Sequence, residues 1–170
     1  EISSGPFLHA RLFPGEAGFG GLVYRVRSKA EEIAMEKGLE RILIDGSAGI
    51  GCQVLASIAG CDLVLIVAEP TLSGWSDFVR IRNLCAGLGV RMAVCVNKHD
   101  INPAITDRIE RFCGRENILF AGKIPFEESV MLALENGKVL VEAYPESRAS
   151  RGIKLVAANI GIVDAQEGSV

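Results

Sequence analysis

The sequence predicts an α/β fold with a mainly parallel sheet and helices on both faces. Short apolar runs at 7–13, 41–45, 63–68, 92–96 and 118–124 alternate with segments of helical period, the pattern of successive βα units. The runs at 63–68 and 92–96 are almost wholly apolar, as strands covered on both faces are. Polar and turn-forming residues follow each of the last four runs. In an open parallel sheet that edge is where ligands bind.

The elements between the strands carry their own signals. Leu22, Val26, Ile33 and Ala34 share one helical face, and Gly38 is placed to end that helix. A helix begins near Ser73, with Asp77 and Arg80 spaced as an ordinary surface ion pair. Trp75 stands at its exposed start, either as a core anchor or as part of an interaction face. Asn102 can cap the next helix, with Pro103 in its first turn and Ile105, Ile109 and Phe112 as its buried stripe. Ile153, Val156, Ala157 and Ile160 repeat at helical spacing, so a last helix is expected to cover the sheet.

The 170 residues are enough for one domain with a substantial core. A net charge of −3 gives no general footprint for nucleic acid, and neither a basic tract nor a long apolar run suggests a membrane. The five cysteines (52, 61, 85, 95 and 113) include no C-x-x-C pair, which fits a reducing, cytoplasmic setting better than a disulfide framework or a metal site. Cys52 falls at an expected helix start, where a thiol can be activated or simply packed. The chain opens on Glu1 rather than methionine, so it is expected to be a piece of a longer protein.

Three strand-end segments carry candidate chemistry. Asp45 leads into the turn Gly46-Ser47-Ala48-Gly49-Ile50-Gly51. A strand-end aspartate can form a local turn with the following amides, or can hold magnesium through water in a phosphate-handling protein. Gly49, four residues on, favours the second reading, because its N–H can approach a phosphate with no Cβ in the way. The spacing is D-x-x-x-G, whereas Ras-like GTPases use D-x-x-G. Asn97-Lys98-His99-Asp100 reads as N-K-x-D: an amide for a purine edge, a lysine stem along the ring, and a carboxylate for guanine N–H groups. Taken alone, it is also a turn with a helix cap. His99, the variable letter, reads as a solvated side chain. Yet no G-x-x-x-x-G-K-[ST] phosphate loop occurs anywhere in the chain.

Four blocks carry a resemblance: 44–52, 69–80, 96–100, and Gly122-Lys123-Ile124-Pro125-Phe126-Glu127 with Ala133 and Gly137. Together with the approach segment around 9–16, they cover about residues 7–160. The chain resembles the later part of MinD/ParA-superfamily P-loop ATPases, more narrowly the subgroup with an inserted ferredoxin domain. That resemblance implies a Rossmann-like fold lacking the Walker A strand, with residues 1–170 as the carboxyl-side portion of one nucleotide-binding domain. It implies Asp45 as a magnesium ligand through water and Gly49 as a γ-phosphate sensor. Asn97 would contact adenine, Lys98 and Asp100 would line the base site, and Pro125 and Phe126 would close over it. Ser47 and Gln53 depart from prolines usual in that turn.

The resemblance further implies ATP and magnesium in the longer protein, 4Fe–4S clusters in the insert only, a homodimer and a redox or iron–sulfur partner. With no phosphate loop of its own, the isolated chain is expected to be inactive. Two other readings stand beside this one: a non-catalytic Rossmann-like binding or scaffold module, and a GTPase-like domain reading guanine through Asp100.

Overall fold

The computed structural model describes residues 5–11, 19–47 and 49–162. The chain divides into two compact units, Glu1–Cys61 and Asp62–Val170.

The second unit is a parallel sheet of three strands in the order β1-β2-β3, with β1 Leu63–Ala68, β2 Arg91–Asn97 and β3 Leu119–Ile124. Helix α3 (Leu72–Gly87) connects β1 to β2, and α4 (Pro103–Arg115) connects β2 to β3. After β3 come α5 (Glu128–Glu135), α6 (Leu140–Ala143) and α7 (Arg148–Asn159). The three later apolar runs are therefore strands, in parallel register as their composition predicted.

Side-chain alternation along the strands feeds two apolar layers. On one face Ile66, Ala68, Val94 and Val96 pack with Phe78 of α3 and with Ile109 and Cys113 of α4. On the other, Ala93, Cys95 and Ala121 pack with Val156 of α7, beside Leu65, Ile124 and Ile160. The four residues 93–96 are all buried. Burying each of the larger ones contributes about 1.5–3 kcal/mol, which makes β2 the anchor of the unit. β1 is covered less completely than its composition predicted: Val67 is 57% exposed, because α7 lies against β3 at the opposite side of the sheet.

The predicted caps form. Asn102 Oδ1 accepts the Ile105 amide at 3.2 Å, with Pro103 in the first turn. The stripe of α4 faces the core as expected. α7 covers the sheet through Val156 and its cap residue Ile160, although Ile153, one turn before Val156, is 37% exposed. A bulge in β3 falls where the register with β2 shifts after Val94. There Asn159 of α7 donates its side-chain amide to the Ala121 carbonyl at 2.8 Å, which fastens the helix to the irregularity.

The first unit contains α1 (Phe19–Lys37) and α2 (Cys52–Ile58). α1 ends at Gly38, whose φ of +63° suits glycine. Gly38 N–H donates to the Met35 carbonyl and Leu39 N–H to the Ala34 carbonyl, closing a Schellman motif. The guanidinium of Arg27 donates to the carbonyls of Ala56 at 2.7 Å and Ala59 at 2.6 Å. It thereby satisfies acceptors at the end of α2.

Two predicted strands differ. Residues 41–47 have no regular structure, and all but Ile44 are exposed, Leu43 at 85%. A strand is stabilised by its ladder partners, and the sheet among the described residues ends at β1. An apolar run without a neighbouring strand has no hydrogen-bonded register to enter. Residues 7–11 of the run at 7–13 are likewise irregular, and 12–13 lie outside the described residues.

Candidate functional site

The carboxyl ends of β1, β2 and β3 bring Glu69, the segment 97–100 and the segment 125–127 to one edge of the sheet. β2 carries Asn97 to this edge as its last residue. The side-chain carbonyl of Asn97 accepts the Lys98 amide at 3.0 Å, leaving its NH₂ donors and one lone pair for a ligand. Lys98 has φ +54°, a left-handed conformation that costs a non-glycine residue about 1–2 kcal/mol. That turn directs its ammonium to Glu69 Oε1 at 2.7 Å, across the ends of β1 and β2. Both side chains are 40–49% exposed, so the pair contributes at most about 1 kcal/mol and leaves the lysine able to change partners.

The loop after β2 is held by its backbone. His99 N–H donates to the Ile124 carbonyl at 3.1 Å, and Thr106 donates its hydroxyl to the His99 carbonyl at 2.8 Å. His99, expected to have a solvated side chain, is half-buried, with its backbone extending the β2–β3 pairing. Asp100 Oδ1 accepts the backbone N–H of Phe126 at 2.8 Å. That bond is the chief cause of an Asp100 carboxyl held below its ordinary pKa, with smaller help from His99 and Arg148.

The loop after β3 is fastened twice. Asp100 holds Phe126 N–H, and Glu127 Oε2 accepts the Ala149 amide at 2.7 Å in the first turn of α7. A carboxylate at that position also complements the helix dipole. Pro125 is buried, while Phe126 is 53% exposed. The aromatic ring is thus presented on an anchored backbone. The five predicted base-site residues 97, 98, 100, 125 and 126 therefore share one edge.

Gly74 makes a close approach at the start of α3. A Cβ there would stand 2.3 Å from the Glu69 carbonyl oxygen, and Thr71 caps the helix by accepting the Gly74 amide at 2.9 Å. This seats the start of α3 against the end of β1 and positions Glu69.

Asp45 and Gly49 lie in the first unit. Asp45 is exposed in the irregular segment, and Gly49 has φ +98°. A Cβ on Gly49 would meet nothing within 4 Å, so backbone conformation rather than crowding calls for glycine there. Among the described residues no group of three or more His, Cys, Asp or Glu could hold a metal ion. A lone exposed carboxylate fits a magnesium ion held mainly by water and phosphate; it does not fit an all-protein cage or an iron–sulfur cluster.

Sequence reasoning missed Glu69 as the partner of Lys98, Glu127 as the anchor of its loop, and Arg27 as the cap of α2. The only sequence signal was the carboxylates' position directly after apolar runs. None of the five cysteines is disulfide-bonded, and Cys85, Cys95 and Cys113 are buried. The Asp77–Arg80 pair is the expected surface one, at 3.9 Å with both side chains exposed.

The three-stranded parallel sheet with its crossover helices matches the fold of MinD-like, Rossmann-type P-loop NTPase structures. The MinD cell division protein of Aquifex aeolicus superposes with a TM-score of 0.66 at 23% identity, over 83% of this chain and 60% of its own. MinD of Pyrococcus horikoshii, solved as a complex with Mg-ADP, does so with a TM-score of 0.63 at 16% identity, over 87% and 59%. In sequence, an ATP-binding protein of Methanocaldococcus jannaschii is 28% identical over 134 residues, 78% of this chain and 51% of its own. The chain is similar to MinD/ParA-type ATPases, and it spans about half the length of the relatives it matches. No family model matches it.

Proposed function

We infer that these residues form the base-recognising, carboxyl-side portion of a MinD-like ATP-binding domain. The observation that carries this is the anchored edge formed by Asn97, Lys98 and the Phe126 loop, with Asp100 as its clasp. Asn97 reads the adenine edge, the Lys98 stem lies along the ring, and Phe126 closes over it from the Pro125 turn. Reading guanine requires both oxygens of Asp100 to accept its N–H groups. Oδ1 already accepts the Phe126 amide but keeps a second lone pair, so this bond does not separate the two bases. The likeness to an ATP-binding protein is what favours adenine over the GTPase-like reading.

Asp45 serves as the magnesium ligand through water, and Gly49 as the residue that senses the terminal phosphate. Magnesium supplies charge neutralisation of the phosphates when bound. In the longer protein, residues 1–170 belong to one domain that dimerises, and the open edge of β1 pairs with a further strand. The ferredoxin insert, its 4Fe–4S clusters and a redox partner remain part of this reading on the sequence resemblance, as does a cytoplasmic location. The chain has no lysine-bearing phosphate loop of its own, so hydrolysis requires residues outside it.

Calorimetric titration of the purified chain with Mg-ATP and Mg-GTP tests the reading. ATP is expected to bind, weakly and more tightly than GTP, with Asn97→Ala reducing that binding. Tighter binding of GTP would favour the guanine-reading alternative, and binding of neither would favour a scaffold module. Magnesium-dependent turnover by the chain alone, abolished by Asp45→Ala, would overturn its assignment as inactive.

A further inference from the structure

We propose that the outer face of α4 is a docking site for an acidic segment of a partner protein. Arg108, Arg111 and Arg115 line an open cleft of about 470 Å³. They stand at i, i+3 and i+7 on one helix and therefore share a face, spread over about 10 Å.

Two of the acidic neighbours of these arginines are engaged elsewhere, while a third, Asp107, stands four residues before Arg111 on the same helix. Glu110 pairs with Lys123, and Glu116 with Arg82. Arg111 Nε donates to a backbone carbonyl, that of Asp107 at 3.2 Å. Among the described residues, none of the three guanidiniums joins an ion pair at 4.0 Å or less.

Two of the three rest on aromatic supports. The Arg108 guanidinium lies 4.1 Å from the centre of the Trp75 ring, and that of Arg115 lies 5.9 Å from Phe112. Trp75 and Phe112 are themselves locked edge-to-face, 5.3 Å apart, above the core. A guanidinium held on a ring loses less side-chain freedom on binding than a free one. Its planar fork suits carboxylates bidentately.

The extent of the patch selects the partner. Tight binding to a nucleic-acid backbone draws on many phosphate contacts and a broad positive field. Here three arginines sit on a chain of net charge −3. Two or three carboxylates at helical spacing match them in number and reach.

The test uses the purified chain and a helix-forming peptide with glutamates at i, i+3 and i+7. Trp75 is the only tryptophan, so its emission reports directly on the cleft. The glutamate peptide should change that emission saturably, and added salt should weaken the effect. Arg111→Glu and Arg115→Glu, which leave Arg108 on the tryptophan ring, should each weaken binding by about tenfold or more. Thermal unfolding of both variants, and of the milder Arg111→Gln, checks that the fold is kept. No saturable change, equal binding of the peptide with glutamine replacing glutamate, or unchanged affinity in the folded variants would overturn the proposal. Tighter binding of a single-stranded oligodeoxynucleotide of equal charge would overturn it in favour of a nucleic-acid surface.

Discussion

The backbone N–H of Phe126 donates to Oδ1 of Asp100 at 2.8 Å, tying the loop after β3 to the loop after β2. The bond favours the ionised carboxylate, which places the folded pKa of Asp100 below its ordinary value of 3.8. A group depressed in this way stabilises the fold above its unfolded pKa and loses that contribution as pH falls through the folded value. Asp100→Asn keeps an acceptor for Phe126 but removes the charge. The unfolding midpoint of the variant should lie below that of wild type at neutral pH. The difference should shrink as pH falls past 3.8 and vanish below the folded pKa. A difference that stays constant through the acid range would mean that the charge is not what makes the bond favourable.

Gly74 and Gly114 offer a matched pair of helix glycines. A Cβ at Gly74 would collide with the Glu69 carbonyl at 2.3 Å, whereas one at Gly114 would meet nothing within 4 Å. Gly74→Ala must push α3 off the end of β1 and should cost about 1–3 kcal/mol. Gly114→Ala adds helix propensity and should stabilise by up to about 1 kcal/mol. Urea unfolding of both variants gives the two signs directly. A neutral Gly74→Ala would mean that the α3 start is not seated as described.

What could be read in advance follows from the range of the interactions involved. Asn102, Pro103 and the Ile105–Ile109–Phe112 stripe are local signals, and α4 forms where they place it. The runs in β1, β2 and β3 are apolar enough to demand burial, and each finds a neighbour. The run at 41–45 looks the same in composition yet has no ladder partner among the described residues, so composition alone overstated it. The residues expected to line a base site come to one edge because each ends or directly follows a strand in the sequence. The Lys98–Glu69 pair spans 29 positions and the Asp100–Phe126 clasp 26, and no local pattern encodes either. Asp45 was legible as a residue type and spacing, but its irregular segment was not.

Burial divides the cysteines into two reactivity classes. It pushes the thiols of Cys95 and Cys113 up to about 11, while Cys52 is exposed at the start of α2. Alkylation is a thiolate reaction. At about pH 8, iodoacetamide should label Cys52 in the native chain, and Cys95 and Cys113 only after unfolding. Peptide mapping by mass spectrometry, with and without denaturant, reads the result. Native labelling of Cys95 would mean that the core around β2 opens far more readily than its burial implies.

Phe126 separates a binding role from a structural one. Its ring is 53% exposed, whereas its backbone is anchored through Asp100 and the neighbouring Glu127. Truncating the ring removes little buried surface, so Phe126→Ala should change stability by no more than about 0.5 kcal/mol. Stacking of a base on an aromatic ring is lost outright by the same change, at about 1–3 kcal/mol. Under the ATP-binding reading, affinity for Mg-ATP should therefore fall by roughly tenfold to a hundredfold while the unfolding curve barely moves. Parallel calorimetry and urea unfolding of the one variant decide the matter. Unchanged ATP affinity would remove Phe126 from the base site, and a large loss of stability would show that the ring supports the loop instead.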